Sequence, residues 1–189
     1  MVRALGVAAT LLILAVAAGA AWALFAPRPD VVVSGGDAGI PMASVDRIYS
    51  GVAVYAVIAA VLGILVALVV WFGMPRTRGP LSVLYTVAAA LAGGGIAMAA
   101  GTGLAKLRVP ELNPHKDGTY PSVIDLWLKN ASLANQPAPW LLLVIAPGLA
   151  ALTCFFLATA SNSQDLGVGD GDPADDGFAP IPVTAEGAT

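Results

Sequence analysis

Residues 81–104, LSVLYTVAAALAGGGIAMAAGTGL, form a run of 24 residues without a charged side chain. An α-helix needs about 20 predominantly apolar residues to cross ~30 Å of hydrocarbon, so this run is long enough to span a membrane. A transmembrane strand would alternate polar and apolar residues, and this run does not. Because a helix satisfies its own backbone hydrogen bonds, the run predicts a transmembrane helix.

Three more runs of the same kind lie elsewhere in the chain. Of the 189 residues, 58% are hydrophobic and only 11% are charged, against about 25% charged residues in soluble domains. We therefore predict an all-α membrane protein, with residues 1–160 forming one four-helix transmembrane domain. The four predicted spans are about 4–25, 51–72, 81–104 and 140–160.

The first span has a second interpretation. Arg3, an apolar stretch and the small residues 18–20 are also typical of a cleavable signal peptide. The stretch is longer than a typical signal core, and Trp22 and Phe25 extend it further. We favour a retained first helix over a cleaved signal.

The segments between the spans predict two outer loops, 26–50 and 105–139, and a short connector at 74–80. In the first loop, residues 31–33 are valines and the turn-forming residues 34–37 follow them. This pattern predicts a small β-hairpin. Beyond the last span, residues 161–189 carry six acidic residues and no Lys or Arg, so we predict a disordered acidic tail.

The second outer loop contains a predicted short helix over 121–129. Ser122 followed three residues later by Asp125 is a capping-box pattern with Asp in place of Glu. A helix here lies either in the membrane interface, where Trp side chains are favoured, or against its own bundle. One face of this helix would carry three interfacial apolar side chains, Ile124, Trp127 and Leu128.

Four spans place both termini on the same side of the membrane. The orientation rule gives most weight to short loops and to the first helix. The connector carries Arg76 and Arg78, and Arg3 precedes the first span. We therefore predict cytoplasmic termini and two outer loops outside, although those loops hold more Lys and Arg in total.

Small residues recur four positions apart in three of the spans. In lipid, helix association depends on close van der Waals contact, which such stripes permit. We predict packing seams, with a partner helix in the same chain favoured over one in another protein. Pro147-Gly148 also predicts a kink in the fourth span. The seam residues are Ala15, Gly19 and Ala23, then Ala59, Gly63 and Ala67, then Ala89, Gly93, Ala97 and Gly101.

The residues that usually carry chemistry are sparse. The predicted spans contain no ionisable Asp, Glu, Lys, Arg or His, which argues against a proton-coupled pump. One cysteine, Cys154, excludes an intrachain disulfide and a cysteine metal cluster. His115, the only histidine, lies in a turn-rich loop. The net charge of −3 leaves no broad basic face, so we predict no nucleic-acid partner. From the sparse chemistry we also predict no enzyme activity, cofactor or metal site.

Three short motifs carry a family resemblance. The first span ends in residues 21–27, AWALFAP, the connector ends in Arg78-Gly79-Pro80, and residues 163–167 read SQDLG. Over roughly residues 4–167, the chain resembles a family of small four-helix membrane proteins of actinobacteria, a family classified as a domain of unknown function. The resemblance implies an actinobacterial inner (plasma) membrane and brings no catalytic residues.

These observations predict a non-catalytic accessory or scaffolding subunit of a larger actinobacterial membrane complex, respiratory or cell-envelope, surrounded by membrane lipids. The alternative is a binding or carrier module for a lipid or other hydrophobic small molecule. Such a module would open a lateral groove near Pro147 and the Gly94-Gly95 pair. An enzyme built around His115 is a third, less favoured hypothesis.

Overall fold

The computed structural model describes residues 2–35, 37–74, 80–109, 117–124, 126 and 140–161. Within this part of the chain, four helical segments are long and apolar enough to cross a membrane. The prediction of an all-α membrane protein is confirmed. The helices are α1 (Val2–Phe25), α2 (Met42–Gly73), α3 (Pro80–Lys106), α4 (Trp140–Leu143) and α5 (Ile145–Ala160), with α4 and α5 together forming the fourth segment.

The helices pack as a bundle around a central pair. α2 and α3 contact each other, and both α1 and α5 contact each member of that pair. The core is therefore shared by all four spans, with α1 and α5 flanking the α2–α3 pair. Its largest fully buried side chains on the helices are Trp22, Tyr55, Val66, Val70, Thr86 and Met98.

Large apolar side chains also cover the outside of the bundle. Ile13 on α1, Val57 on α2, Leu84 on α3 and Phe155 on α5 are all exposed. An apolar surface of this extent is unusual on a soluble monomer. In a bilayer it meets lipid tails that are as apolar as leucine, so it suits a membrane-spanning protein.

A small antiparallel sheet joins the two outer loops at one end of the bundle. Among the described residues it has three strands, β1 (Asp30–Ser34), β2 (Asp37–Gly39) and β3 (Gly118–Pro121), in the order β2-β1-β3. Gly35 begins the turn between β1 and β2 with φ +62°, a conformation that glycine adopts without strain. The predicted hairpin is confirmed. The sequence did not predict β3.

The predicted helix over 121–129 is wrong at its start. Pro121 is the last residue of β3, and residues 122–124 have no regular secondary structure. The Ser122 N–H donates to the Pro29 carbonyl oxygen at 2.8 Å, one step beyond the β1–β3 pairing. This long-range backbone bond replaces the local capping box. Residues 125 and 127–129, among them Trp127 and Leu128, lie outside the described residues.

α2 begins at Met42 rather than at the predicted Gly51. Its 32 residues rise about 48 Å at ~1.5 Å per residue, which exceeds ~30 Å of hydrocarbon. The additional turns carry Asp46 and Arg47 and lie beside the sheet. The first turns of α2 therefore extend beyond the apolar part of the bundle.

The fourth span is interrupted at Val144, three residues before Pro147. Proline has no N–H, and its ring crowds the carbonyl of the residue four positions earlier, here Leu143. α4 accordingly ends at Leu143 and α5 begins at Ile145, while the Gly148 N–H donates to the Val144 oxygen at 2.9 Å. Except for Ser161, the predicted disordered tail lies outside the described residues.

Candidate functional site

Gly19 brings the backbones of α1 and α3 into direct contact. A Cβ atom added at Gly19 would lie 2.5 Å from the Ala97 carbonyl oxygen and 2.8 Å from the Gly101 nitrogen. Real Cβ atoms do not approach other heavy atoms this closely. On the facing helix, a Cβ added at Gly101 would lie 3.0 Å from both the Gly19 oxygen and Cε3 of Trp22. The two helices therefore cross where both lack a side chain.

A second close crossing joins α2 to α5. A Cβ added at Gly63 would collide with the Ala146 carbonyl group. Ala59 and Ala67, one turn to either side of Gly63, are buried in the same core. Each central glycine thus lies in a stripe of small residues, as close packing in lipid requires.

The structure places the predicted seam residues against helices of the same chain. Nine of the ten are buried and Ala89 is half-buried. Ala89 also packs against the buried cluster. The nine buried seam residues are Ala15, Gly19, Ala23, Ala59, Gly63, Ala67, Gly93, Ala97 and Gly101.

The glycines at the middle of α3 are less tightly enclosed. A Cβ added at Gly93 would meet Ala15 and Leu62 side-chain carbons at 3.9 Å, an ordinary van der Waals distance. A Cβ added at Gly94 or Gly95 would meet Leu143 at 3.9–4.0 Å. Leu143 therefore lies beside the Gly94-Gly95 pair, the region of the predicted lateral groove.

Among the described residues, buried side-chain hydrogen bonds link neighbouring helices. The Tyr55 hydroxyl on α2 donates to the Gly94 carbonyl oxygen on α3 at 2.9 Å. Nε1 of Trp22 on α1 donates to the Gly51 oxygen on α2, also at 2.9 Å. A buried donor without a partner would destabilise the fold, and these two hydrogen bonds satisfy both donors. The bonds also fix the register of the helices.

We use the term cap for the sheet, residues 122–124 and the first turns of α2. Asp117 accepts a hydrogen bond from the Gly35 N–H at 3.0 Å, which joins the β1–β2 turn to the residue before β3. An ion pair between Arg47 and Asp30 joins α2 to β1. These contacts hold both outer loops and α2 together as one unit.

The Ile124 side chain packs the cap against the bundle. Its side chain is 5% exposed and packs over Gly51, where an added Cβ would collide with it. Ile124 therefore packs against its own bundle, which was one of the two predicted placements. The other predicted interfacial residues, Trp127 and Leu128, lie outside the described residues.

The cap exposes four large apolar side chains beside polar ones such as Asp46 and Arg47. Val32 lies on β1, opposite Gly39, and Ile40 follows directly after Gly39. Met42 and Tyr49 are seven residues apart on α2 and so share one helix face. We define these exposed side chains as the cap patch: Val32, Ile40, Met42 and Tyr49.

A groove lies at the opposite end of the bundle, between the start of α1 and the end of α2. Its volume is about 550 Å³. The sequence did not predict it, because it depends on how two separate helices pack against each other. The groove is lined by Arg3, Gly6, Val7, Thr10, Val69, Phe72 and Gly73.

Among the described residues, no group of three or more His, Cys, Asp or Glu side chains is placed to hold a metal ion. His115 lies outside those residues. No family model, curated protein or solved structure matches the chain. The resemblance to the actinobacterial family therefore stays a prediction.

Proposed function

We propose that this protein is a non-catalytic accessory or scaffolding subunit of a larger membrane complex. The observation that supports this best is the cap patch on a braced structure outside the apolar bundle. We further propose the host suggested by the family resemblance, a respiratory or cell-envelope complex of an actinobacterial inner membrane.

The exposure of the patch supports an interaction role. Met42 is 90% exposed and Tyr49 is 71% exposed, on the part of α2 that extends beyond the membrane-spanning length. In this proposal the first turns of α2 lie outside the lipid tails, so their exposed apolar area would be solvated unless a protein covered it. Exposed apolar patches outside a membrane typically mark protein interaction sites.

The bracing of the cap also favours binding. Hydrogen bonds from Gly35 and Ser122, together with the Arg47–Asp30 ion pair, fix the cap before any partner arrives. A surface fixed in advance loses less conformational entropy on association. The positive-inside pattern leads us to propose that the cap lies outside the cytoplasm and both termini inside.

The packing seams limit which surfaces of the protein a partner can contact. Gly19 and Gly63 contact α3 and α5 of the same chain, so these small-residue faces are occupied. A partner would instead contact the cap patch or the outer helix faces. The cap patch is the more specific of the two, because lipid already suits the outer helix faces.

The test is purification of the tagged protein from its own membrane in mild detergent, followed by native mass spectrometry. We expect a stoichiometric membrane partner with the wild type and its loss with Met42→Lys. The matched control is Leu107→Lys, since Leu107 is also exposed and also lies at the cap end. A partner retained by both variants, or a protein that purifies alone, would contradict the proposal.

A further inference from the structure

We propose that the groove between α1 and α2 binds one anionic phospholipid from the leaflet opposite the cap. This inference goes beyond the accessory role, because it concerns the other end of the molecule. The groove would hold an acyl chain along its apolar wall, and Arg3 would contact the phosphate.

The shape of the groove suits a lipid chain. The groove is an open surface depression of about 550 Å³ rather than an enclosed pocket, as suits a lipid that also contacts the bilayer. Val7, Val69 and Phe72 supply the apolar wall. Phe72 is 67% exposed, so this part of the wall is accessible from outside the bundle.

The position of the groove matches the boundary between headgroups and acyl chains. Along α1 it runs from Arg3 to Thr10, seven residues, or about 10 Å of helix. Arg3 lies at the end of the span, where long basic side chains extend toward the interface. Val7 and Thr10 lie deeper, level with the upper part of the acyl chains.

The charge of the groove selects the headgroup. Among the described residues of the lining, Arg3 is the charged one, and it is exposed. The guanidinium group offers several N–H donors that match phosphate oxygens. The Thr10 hydroxyl donates to the Gly6 carbonyl oxygen at 2.9 Å, so its proton is already engaged. Arg3 therefore supplies the charge complementarity, which favours anionic over zwitterionic lipids.

Gly6 provides a direct way to fill the groove. A Cβ added there has no heavy atom within 4 Å, so a larger side chain fits without moving the backbone. Gly6→Leu should therefore occupy the lipid position and leave the helix bundle folded. Gly103→Leu is the matched control, because Gly103 also has open space and lies near the cap end of α3.

The experiment uses the full chain with a C-terminal tag, purified in mild detergent and exposed to equal amounts of phosphatidylglycerol and phosphatidylcholine with the same acyl chains. Native mass spectrometry then counts each lipid that stays bound. We expect one retained phosphatidylglycerol in preference to phosphatidylcholine. Arg3→Gln should lower its retention about fivefold, the effect of removing one basic side chain from an anionic surface. Gly6→Leu should remove the retained lipid.

Two control variants separate this site from general lipid adhesion. Lys106→Gln removes an exposed basic side chain at the cap end of α3, far from the groove. Gly103→Leu adds an apolar side chain near the same end. Neither should change lipid retention. Equal losses from Arg3→Gln and Lys106→Gln would overturn the proposal, as would equal retention of the two lipids. A homodimer dissociated by Gly6→Leu would assign the groove to a second copy instead.

Discussion

Gly19→Ala adds one methyl group at the closest helix crossing of α1. The added carbon would lie 2.5 Å from the Ala97 oxygen, so α1 and α3 must separate to accommodate it. The best comparison is Gly93→Ala in the same seam, where the added carbon would meet Ala15 and Leu62 at 3.9 Å. Both changes replace a glycine inside a long helix by alanine.

The expected magnitude follows from that comparison. Helix propensity favours alanine over glycine by about 1 kcal/mol, and this contribution is the same at both sites. Gly19→Ala also incurs overpacking, which costs about 1–3 kcal/mol. The two variants should therefore differ by about 1–3 kcal/mol in free energy of unfolding, or about 5- to 150-fold in the folding equilibrium constant.

The assay is equilibrium unfolding of both purified variants in mixed micelles with increasing SDS. Far-UV circular dichroism reports helix content, and the fluorescence of the protein, which includes buried Trp22, reports tertiary packing. Gly93→Ala should match or exceed the wild type, while Gly19→Ala should unfold at lower SDS. Equal stability of the two variants would refute the close crossing of α1 and α3.

Two further predictions concern polar contacts. Tyr55→Phe removes the hydrogen bond to Gly94 and should lower the free energy of unfolding by about 0.6 kcal/mol, at most ~1.7; the same assay applied to exposed Tyr85→Phe should show no change. For the ion pair, a double-mutant cycle with Arg47→Gln and Asp30→Asn should give a coupling below about 1 kcal/mol that weakens in high salt. The Arg47 and Asp30 side chains are 51% and 38% exposed, so solvent should screen the pair. A coupling free energy above about 1 kcal/mol that does not change with salt would contradict this.

The spans were predictable because length and hydropathy decide them locally. The start of α2 was not. Residues 42–50 include Asp46, Arg47 and Ser50, and these polar residues were interpreted as loop. The structure continues α2 through them, and Arg47 there pairs with Asp30 on β1. A boundary set by a contact with another element is not visible in one segment alone.

The same distinction explains the missed strand. Residues 118–121, GTYP, are too short and too ordinary to predict a strand. Their partner β1 lies more than 80 residues earlier in the chain, so the pairing is not visible in the local sequence. The capping-box pattern at Ser122 was a local signal, and the bond to Pro29 overrode it.

The packing seams could be predicted from the sequence, whereas the groove could not. Spacing alone selected Gly19 and Gly63, since close helix contact in lipid requires small residues at that spacing. Spacing did not distinguish Gly19, which tolerates no added carbon, from Gly93, which has room for one. The groove at Arg3 lies between two helices and depends on how they pack, a property that neither helix carries by itself.

The position of β1 between β2 and β3 sets an order of events during synthesis. When the first two spans have been inserted, β1 and β2 can pair, but the other edge of β1 has no partner. That partner begins at Gly118, roughly 80 residues later, which takes some 4–16 s at about 5–20 residues per second. During this interval the nascent chain presents an open strand edge, the kind of surface that recruits foreign strands. Once β3 has been made, it can cover this edge of β1, and the edges of the finished sheet are then the short strands β2 and β3.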